Sequence, residues 1–279
     1  MSCVRSAWSP DRVPEESRSA ARRAFLRYHS PRYLHPDPLE LVADVQNPAE
    51  REVTAFICAS LALGRVGSIL TTCRRVLEAL PYPARQLAQL SETQIRRRLR
   101  GFVYRFFGEA EISSFLLAIG AVLREWGSLE ACFATTASPA DATVLPGLTG
   151  LVAALRERLS TDVGILLADP ARNSATKRLH LFLRWMVRQD CLDPGGWHAA
   201  VPAQLIVPLD VHMLSVCRRL AITRRATASR NAALEITEFF KTLDPSDPVK
   251  YDFSLTRYGI NPEVKAHLPE DIPFLHGDP

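Results

Sequence analysis

The sequence predicts an all-α protein, and three observations carry that reading. No stretch shows the period-two alternation of apolar and polar residues, closed by turn dipeptides, that marks a strand. Apolar residues recur instead at helical spacing through most of the 279 residues. Between these segments stand helix starts and stops: Asn47-Pro48, Pro81 with Pro83, and Asp247-Pro248 followed by Gly259.

Taken in order, Ser17 to His29 suits a short helix, and Ser30 to Pro38, with three prolines, reads as a loop. Asn47-Pro48 is a cap followed by Pro in the first turn, opening an apolar helix through Phe56, Ile57, Leu61 and Leu63. Gly64-Arg65-Val66-Gly67 breaks it, and a second helix runs from about Ser68 to Leu80. The stretch IRRRLRGFVYRFFGEAEI, Ile95 to Ile112, interleaves arginines with Phe102, Tyr104, Phe106 and Phe107. At helical spacing its aromatics belong to the core with arginines outside, although the mixture also suits nucleic-acid stacking and phosphate contact. Helices follow over Glu109 to Trp126 and Leu129 to Phe133, then a small, polar surface loop from Ala134 to Val144. LPGLTG, Leu145 to Gly150, leads into the amphipathic LVAALRERL.

Next come two helix starts joined by a Pro/Gly-rich connection. The first follows Asn173 and Ser174, either of which can cap it, and carries Lys177 in its first turn. Leu179, Leu181, Phe182, Leu183, Trp185, Met186 and Val187 require most of this helix to be buried. Lys177 and Arg184 lie two turns apart on one face, and two cations there need an anionic neighbour or an open cleft. The second start has Asp210 at an N-cap behind Pro208. Capping explains Asp210 by itself, yet a cap can also stand at the mouth of a cleft. Arg218, Arg219, Arg224 and Arg225 then cluster where cations suit a helix C-terminus or can clamp phosphate. Asn231 to Leu243 is a further amphipathic helix, Asp247-Pro248 opens the last, and the tail from Pro262 reads as irregular.

Composition sets outer bounds. A chain this long buries a substantial core. With 34 basic and 30 acidic residues the net charge is +4, which permits a polyanion partner without requiring one, so any nucleic-acid footprint is local. Six cysteines form no CxxC pair and the histidines show no metal-ligand spacing, which implies free thiols in a reducing cytosol and no metal or other cofactor. The N-terminal residues lack the apolar core of a secretory signal, and no apolar run is long enough to span a bilayer. A cytoplasmic monomer with no membrane partner is expected. There is no GxSxG elbow, metal cluster or phosphate loop to support a helical hydrolase of another kind.

The string VPLDVHMLSVCRRL, Val207 to Leu220, resembles the segment of the helix-hairpin-helix DNA glycosylase superfamily in which a Val/Pro-rich approach delivers an aspartate. The long separation of Lys177 from Asp210 resembles the archaeal 8-oxoguanine DNA glycosylase type, whose lysine helix carries a second cation two turns on. KRLHLFLRWMVR, PLDVH and the late KYDF with Gly259-Ile260 also resemble an uncharacterised, mostly bacterial family over roughly Asn47 to Asn261. The resemblance implies a two-lobed helical fold, with residues 46–184 as a central lobe ending in the lysine helix and residues 1–45 with 185–279 as the second. It implies a nucleoid-associated base-excision repair enzyme acting on double-stranded DNA, with Lys177 as nucleophile and β-lyase residue and Asp210 as its acidic partner. Arg184, Asp252, Pro208 and Trp185 would meet the substrate, Asp252 at the N7 proton of an oxidised purine, with Thr256 where the type carries an aromatic residue. Arg65, Arg178, Arg218 and Arg219 would contact DNA, and Gln46 is a weaker base-edge candidate. No Lys follows LPGLTG where the family hairpin requires one. The hairpin is then the turn Asp169 to Ser174, which lacks the two glycines that normally approach a phosphate. No four-cysteine iron–sulfur loop follows Asp210, since only Cys217 lies beyond it.

Chemically, an amine attacking C1′ as the base leaves can form an imine that permits strand cleavage by β-elimination. A free lysine has pKa ~10.4, so about one in a thousand is neutral near pH 7. Burial, Arg184 and the helix N-terminus are expected to lower that value, with Asp210 stabilising an oxocarbenium ion or taking the amine's proton. The competing expectation is a non-catalytic nucleic-acid-binding protein that uses Lys177, Arg184 and the distal arginines for phosphate alone.

Overall fold

A computed structural model describes residues 8–267 and Ile272. The described residues form thirteen α-helices joined by 3-10 turns and loops, with no strand longer than an isolated bridge. They are α1 (Glu15–Tyr28), α2 (Pro48–Ser60), α3 (Val66–Ala79), α4 (Pro83–Gln89), α5 (Glu92–Arg98), α6 (Glu109–Trp126) and α7 (Leu129–Ala134). After them come α8 (Leu145–Glu157), α9 (Lys177–Val187), α10 (Val211–Arg219), α11 (Arg230–Leu243), α12 (Asp252–Ile260) and α13 (Pro262–Ala266). Cys3 and the tail beyond His267, Ile272 excepted, lie outside the described residues.

The caps that the sequence specifies are made where the side chain reaches its amide. Asn47 accepts from Glu50 N at the head of α2, and Ser91 with Gln94 forms a reciprocal capping box on α5. Around α6, the longest helix, pack α4, α5, α7 and α8, while α2 lies against α4 and α9. Separately, α12 packs on α1 and α10, and α11 on the 3-10 turn Pro248–Tyr251. One continuous apolar cluster runs through both groups. Phe182 of α9 meets Phe56 and Trp197 edge-on in that cluster.

Glu52 is a buried carboxylate inside α2. It accepts from Leu129 N, Glu130 N and Trp197 Nε1, each at 2.9 Å, so it caps α7 and fixes the loop after α9 in one stroke. Burial pushes its pKa up, opposed by those three donors.

Several sequence expectations need correction. LPGLTG lies within the first turns of α8, where an added Cβ at Gly147 would sit 2.5 Å from the Phe133 ring, so this glycine serves close packing on α7. Residues 99–108 are not helical. They close in a tight turn in which Tyr104 and Phe107 exchange backbone hydrogen bonds. Neither Asn173 nor Ser174 caps α9: Ser174 Oγ accepts from Thr176 N, and Thr176 holds the N-cap position in the left-handed region at φ 39°. Asp247 does not cap, because its carboxylate is held by Arg188. Gly259 does not stop the last long helix, which runs through it to Ile260. The chain then continues into α13, capped by Asn261.

Candidate functional site: a lysine and an aspartate across a cavity

Lys177 opens α9 because the residues before it are buried and turned. Ala175 and Thr176 are packed in, Thr176 adopts the left-handed backbone, and the apolar face of α9 locks onto α2. The side chain of Lys177 therefore starts at a helix N-terminus and runs outward, 27% exposed.

Asp210 arrives along a wholly buried approach, Leu205 to Leu209, whose Val207 N donates to Thr237 Oγ1 on α11. Its Oδ1 accepts from His212 N and Met213 N, at 2.9 and 3.0 Å, and so caps α10. Its Oδ2 lies 3.4 Å from Lys177 Nζ. The two roles weighed for this residue thus fall on different oxygens.

The pair lines a cavity of about 730 Å³. Its walls come from the turn after α2 (Leu63, Gly64, Arg65), from α9 (Lys177, Leu181, Arg184), from the head of α10 and from α12. Asp252 belongs to this lining and is 2% exposed. Its Oδ2 accepts from Arg184 Nη1 at 2.5 Å, whereas its Oδ1 is buried with no hydrogen-bond partner. Burial pushes the Asp252 carboxyl up against the pull of Arg184. Arg184 also grips Asp193 through Nε and Nη2; burial alone would lower its pKa, but Asp193 and Asp252 reverse that and raise it.

Of the expected substrate contacts, the structure brings Lys177, Asp210, Asp252 and Arg184 to one cavity. Arg184 is spent on two carboxylates, so its role there is to hold Asp252. Trp185 and Pro208 are corrections: both are buried, neither lines the cavity, and Trp185 faces into the core. Among the expected DNA contacts, Arg65 stands exposed on the cavity lining and Arg218 is exposed at the end of α10. Arg219 donates to Ile272 O. Arg178 lines the cavity next to Lys177 and is half-buried. Its guanidinium donates to Ser60 O and Ile165 O, tying α9 to the end of α2, and burial lowers its pKa to about 10. Exposed Gln46 lies outside the cavity lining. The turn at Asp169 closes on itself, with Asp169 accepting from Ala171 N and Arg172 N.

Sequence reasoning missed three polar cavity residues, Arg257, Asp37 and His212. Arg257, buried on α12, donates to Asp37 Oδ2 at 2.6 Å, bringing the 3-10 turn at Pro38 to the cavity. His212 lies flat against Gly259, where a Cβ would meet its Nδ1 at 2.5 Å. The PLDVH string held a signal for His212, while Asp37 and Arg257 meet only by long-range packing. Away from the cavity, His29, Asp190 and Cys191 approach one another, although the sequence showed no ligand spacing. Asp190 already accepts from His29, Arg188 and two backbone amides, so this corner is an ion-pair junction. Cys58, Cys73, Cys132 and Cys217 are free and buried, and Cys191 is free and exposed.

Fold and site together define an all-α protein with a lysine–carboxylate pair facing a cavity large enough for a nucleoside. The chain belongs to a family described as protein of unknown function (DUF2400), whose model matches residues 37–261. No curated protein and no solved structure matches it. Among the described residues, no helix is long and apolar enough to cross a membrane.

Proposed function

We propose that the protein is a cytoplasmic, nucleoid-associated DNA glycosylase with associated β-lyase activity, removing an oxidised purine, 8-oxoguanine foremost, from double-stranded DNA. The observation that carries this reading is the 3.4 Å approach of Lys177 Nζ to Asp210 Oδ2 on the wall of a cavity of about 730 Å³. Base chemistry of this kind takes the nucleotide out of its stack into a pocket. Leu63, Ile69, Leu181, Val211 and Ile260 offer that pocket apolar walls for a base.

In the proposed reaction Asp210 takes a proton from the Lys177 ammonium, and the free amine attacks C1′. The N–C1′ bond forms as the glycosidic bond breaks and the base departs with its electron pair, to be protonated. Where the Lys177 amine is already neutral, Asp210 keeps its charge and its carboxylate instead stabilises positive charge on the sugar as the base leaves. Ring opening gives an imine, loss of a C2′ proton expels the 3′-phosphate, and water releases the lysine. Asp252 lines the cavity and keeps Oδ1 without a hydrogen-bond partner, so a turn of its carboxyl towards the cavity would offer an acceptor for an N–H that an oxidised purine carries and guanine lacks.

Borohydride reduction of the imine tests the reading. Duplexes each carrying one defined lesion are incubated with protein and reductant, and wild type is expected to cross-link to the 8-oxoguanine duplex while Lys177→Gln does not. Equal, negligible trapping by both, with unchanged duplex binding and the same salt slope, would leave a nucleic-acid-binding module and sink the enzyme.

A further inference from the structure

Between Glu92 and Glu109 the sequence has no carboxylate and five arginines. Of the four aromatic residues there, Phe102, Tyr104 and Phe107 are buried, but Phe106 is 75% exposed and Val103 71%. The exposed ring stands on a closed turn. Tyr104 N donates to Phe107 O at 2.8 Å and Phe107 N to Tyr104 O at 2.9 Å, so Arg105 and Phe106 form the tip of a closed turn, with Arg105 at φ 56°. Buried Tyr104 and Phe107 anchor both sides of that tip.

The turn is fastened to the cavity. Tyr104 Oη donates to Leu63 O, and the Arg105 guanidinium lies so close over Gly64 that a Cβ there would meet its Nη1 at 2.2 Å. Leu63 and Gly64 both line the cavity, as does the neighbouring Arg65. Arg105 also stands 5.7 Å from the centre of the Phe106 ring. Arg65, Arg97, Arg98, Arg100 and Arg105 are all exposed. One phenylalanine and one valine are far too little apolar surface for a stable protein interface, which takes on the order of 800 Å² from each side. A flat apolar face presented by a polyanion is what a ring among arginines fits, and a nucleobase within a phosphate backbone has both properties.

We infer that Phe106 is a positioning residue that enters the base stack beside the nucleotide held in the cavity, with Arg105 and Arg65 facing the adjoining phosphates. This rests on the nucleic-acid reading above and adds to it the side chain that occupies the opened stack. A ring carried on a backbone fixed in advance loses only side-chain freedom on insertion, which favours the extruded state of the neighbouring nucleotide.

The test uses 2-aminopurine, whose emission rises on unstacking, placed next to 8-oxoguanine in a duplex. In full-length protein carrying Lys177→Gln, which leaves the base uncut, emission is expected to rise on binding. Adding Phe106→Ala should abolish the rise with phosphate-driven binding retained, and Phe106→Leu should restore most of it. With Lys177 intact, Phe106→Ala should slow excision about tenfold to a hundredfold, and a lesion opposite an abasic site, already poorly stacked, should narrow that deficit. Undiminished emission and excision by Phe106→Ala would overturn the role of Phe106 and leave the glycosylase standing. Absence of both excision and duplex binding in wild type would overturn both.

Discussion

His180, one turn after Lys177, is wholly buried on α9, and burial lowers its pKa from 6.5 to about 4. Its folded value lies below its unfolded one, so the unfolded chain takes up a proton near pH 6.5 that the folded chain refuses until about pH 4. Stability is therefore full above pH 6.5 and falls as the pH drops towards 4, by about 3 kcal/mol from this residue. His180→Leu should flatten that fall, seen as a smaller loss of urea midpoint between pH 7.5 and 5 than in wild type. Glu52 makes the complementary case. Glu52→Ala leaves two amides of α7 and the Trp197 indole without their acceptor, and should cost about 2–4 kcal/mol in urea unfolding while leaving Lys177 trapping intact under native conditions.

At the scale of elements, α10 and α12 pack extensively on each other, and at the head of α10 the His212 ring lies against Gly259. Gly259→Ala drives a methyl into that ring and forces α10, with Asp210 at its cap, away from α12. Excision should fall about tenfold or more, since a displacement of about 1 Å can cost a hundredfold, whereas the unfolding free energy measured in urea should drop by only about 1–3 kcal/mol. Which helices form was legible because caps and apolar periodicity are local: Asn47 and Asp210 sit where their chemistry puts them. What escaped the sequence is what depends on distant partners. Asp247 looked like a cap until Arg188 claimed it, Gly259 looked like a stop until His212 filled its place, and Arg178 looked free until two carbonyls took its donors. The lysine and aspartate were readable as a pair through resemblance, but Asp37, Arg257 and the split between inward and outward aromatics at 102–107 were not.

Across the whole molecule, a buried charge network ties the two groups of helices together. Arg188 holds Asp190, Asp193 and Asp247, Arg184 holds Asp193 and Asp252, and Asp190 reaches His29 at the end of α1. Arg188→Leu leaves three carboxylates short of their cation and should destabilise the protein by about 3–5 kcal/mol in denaturant unfolding, far more than loss of an exposed arginine such as Arg97. The cavity draws its walls from residues as far apart in sequence as Asp37 and Ile260. A growing polypeptide on the ribosome thus carries Lys177 and Asp210 for the length of many further residues before α12 exists to complete the chamber around them. On the glycosylase reading proposed above, synthesis order itself keeps unfinished copies chemically silent, because Lys177 without its enclosure has nothing to hold a sugar against it.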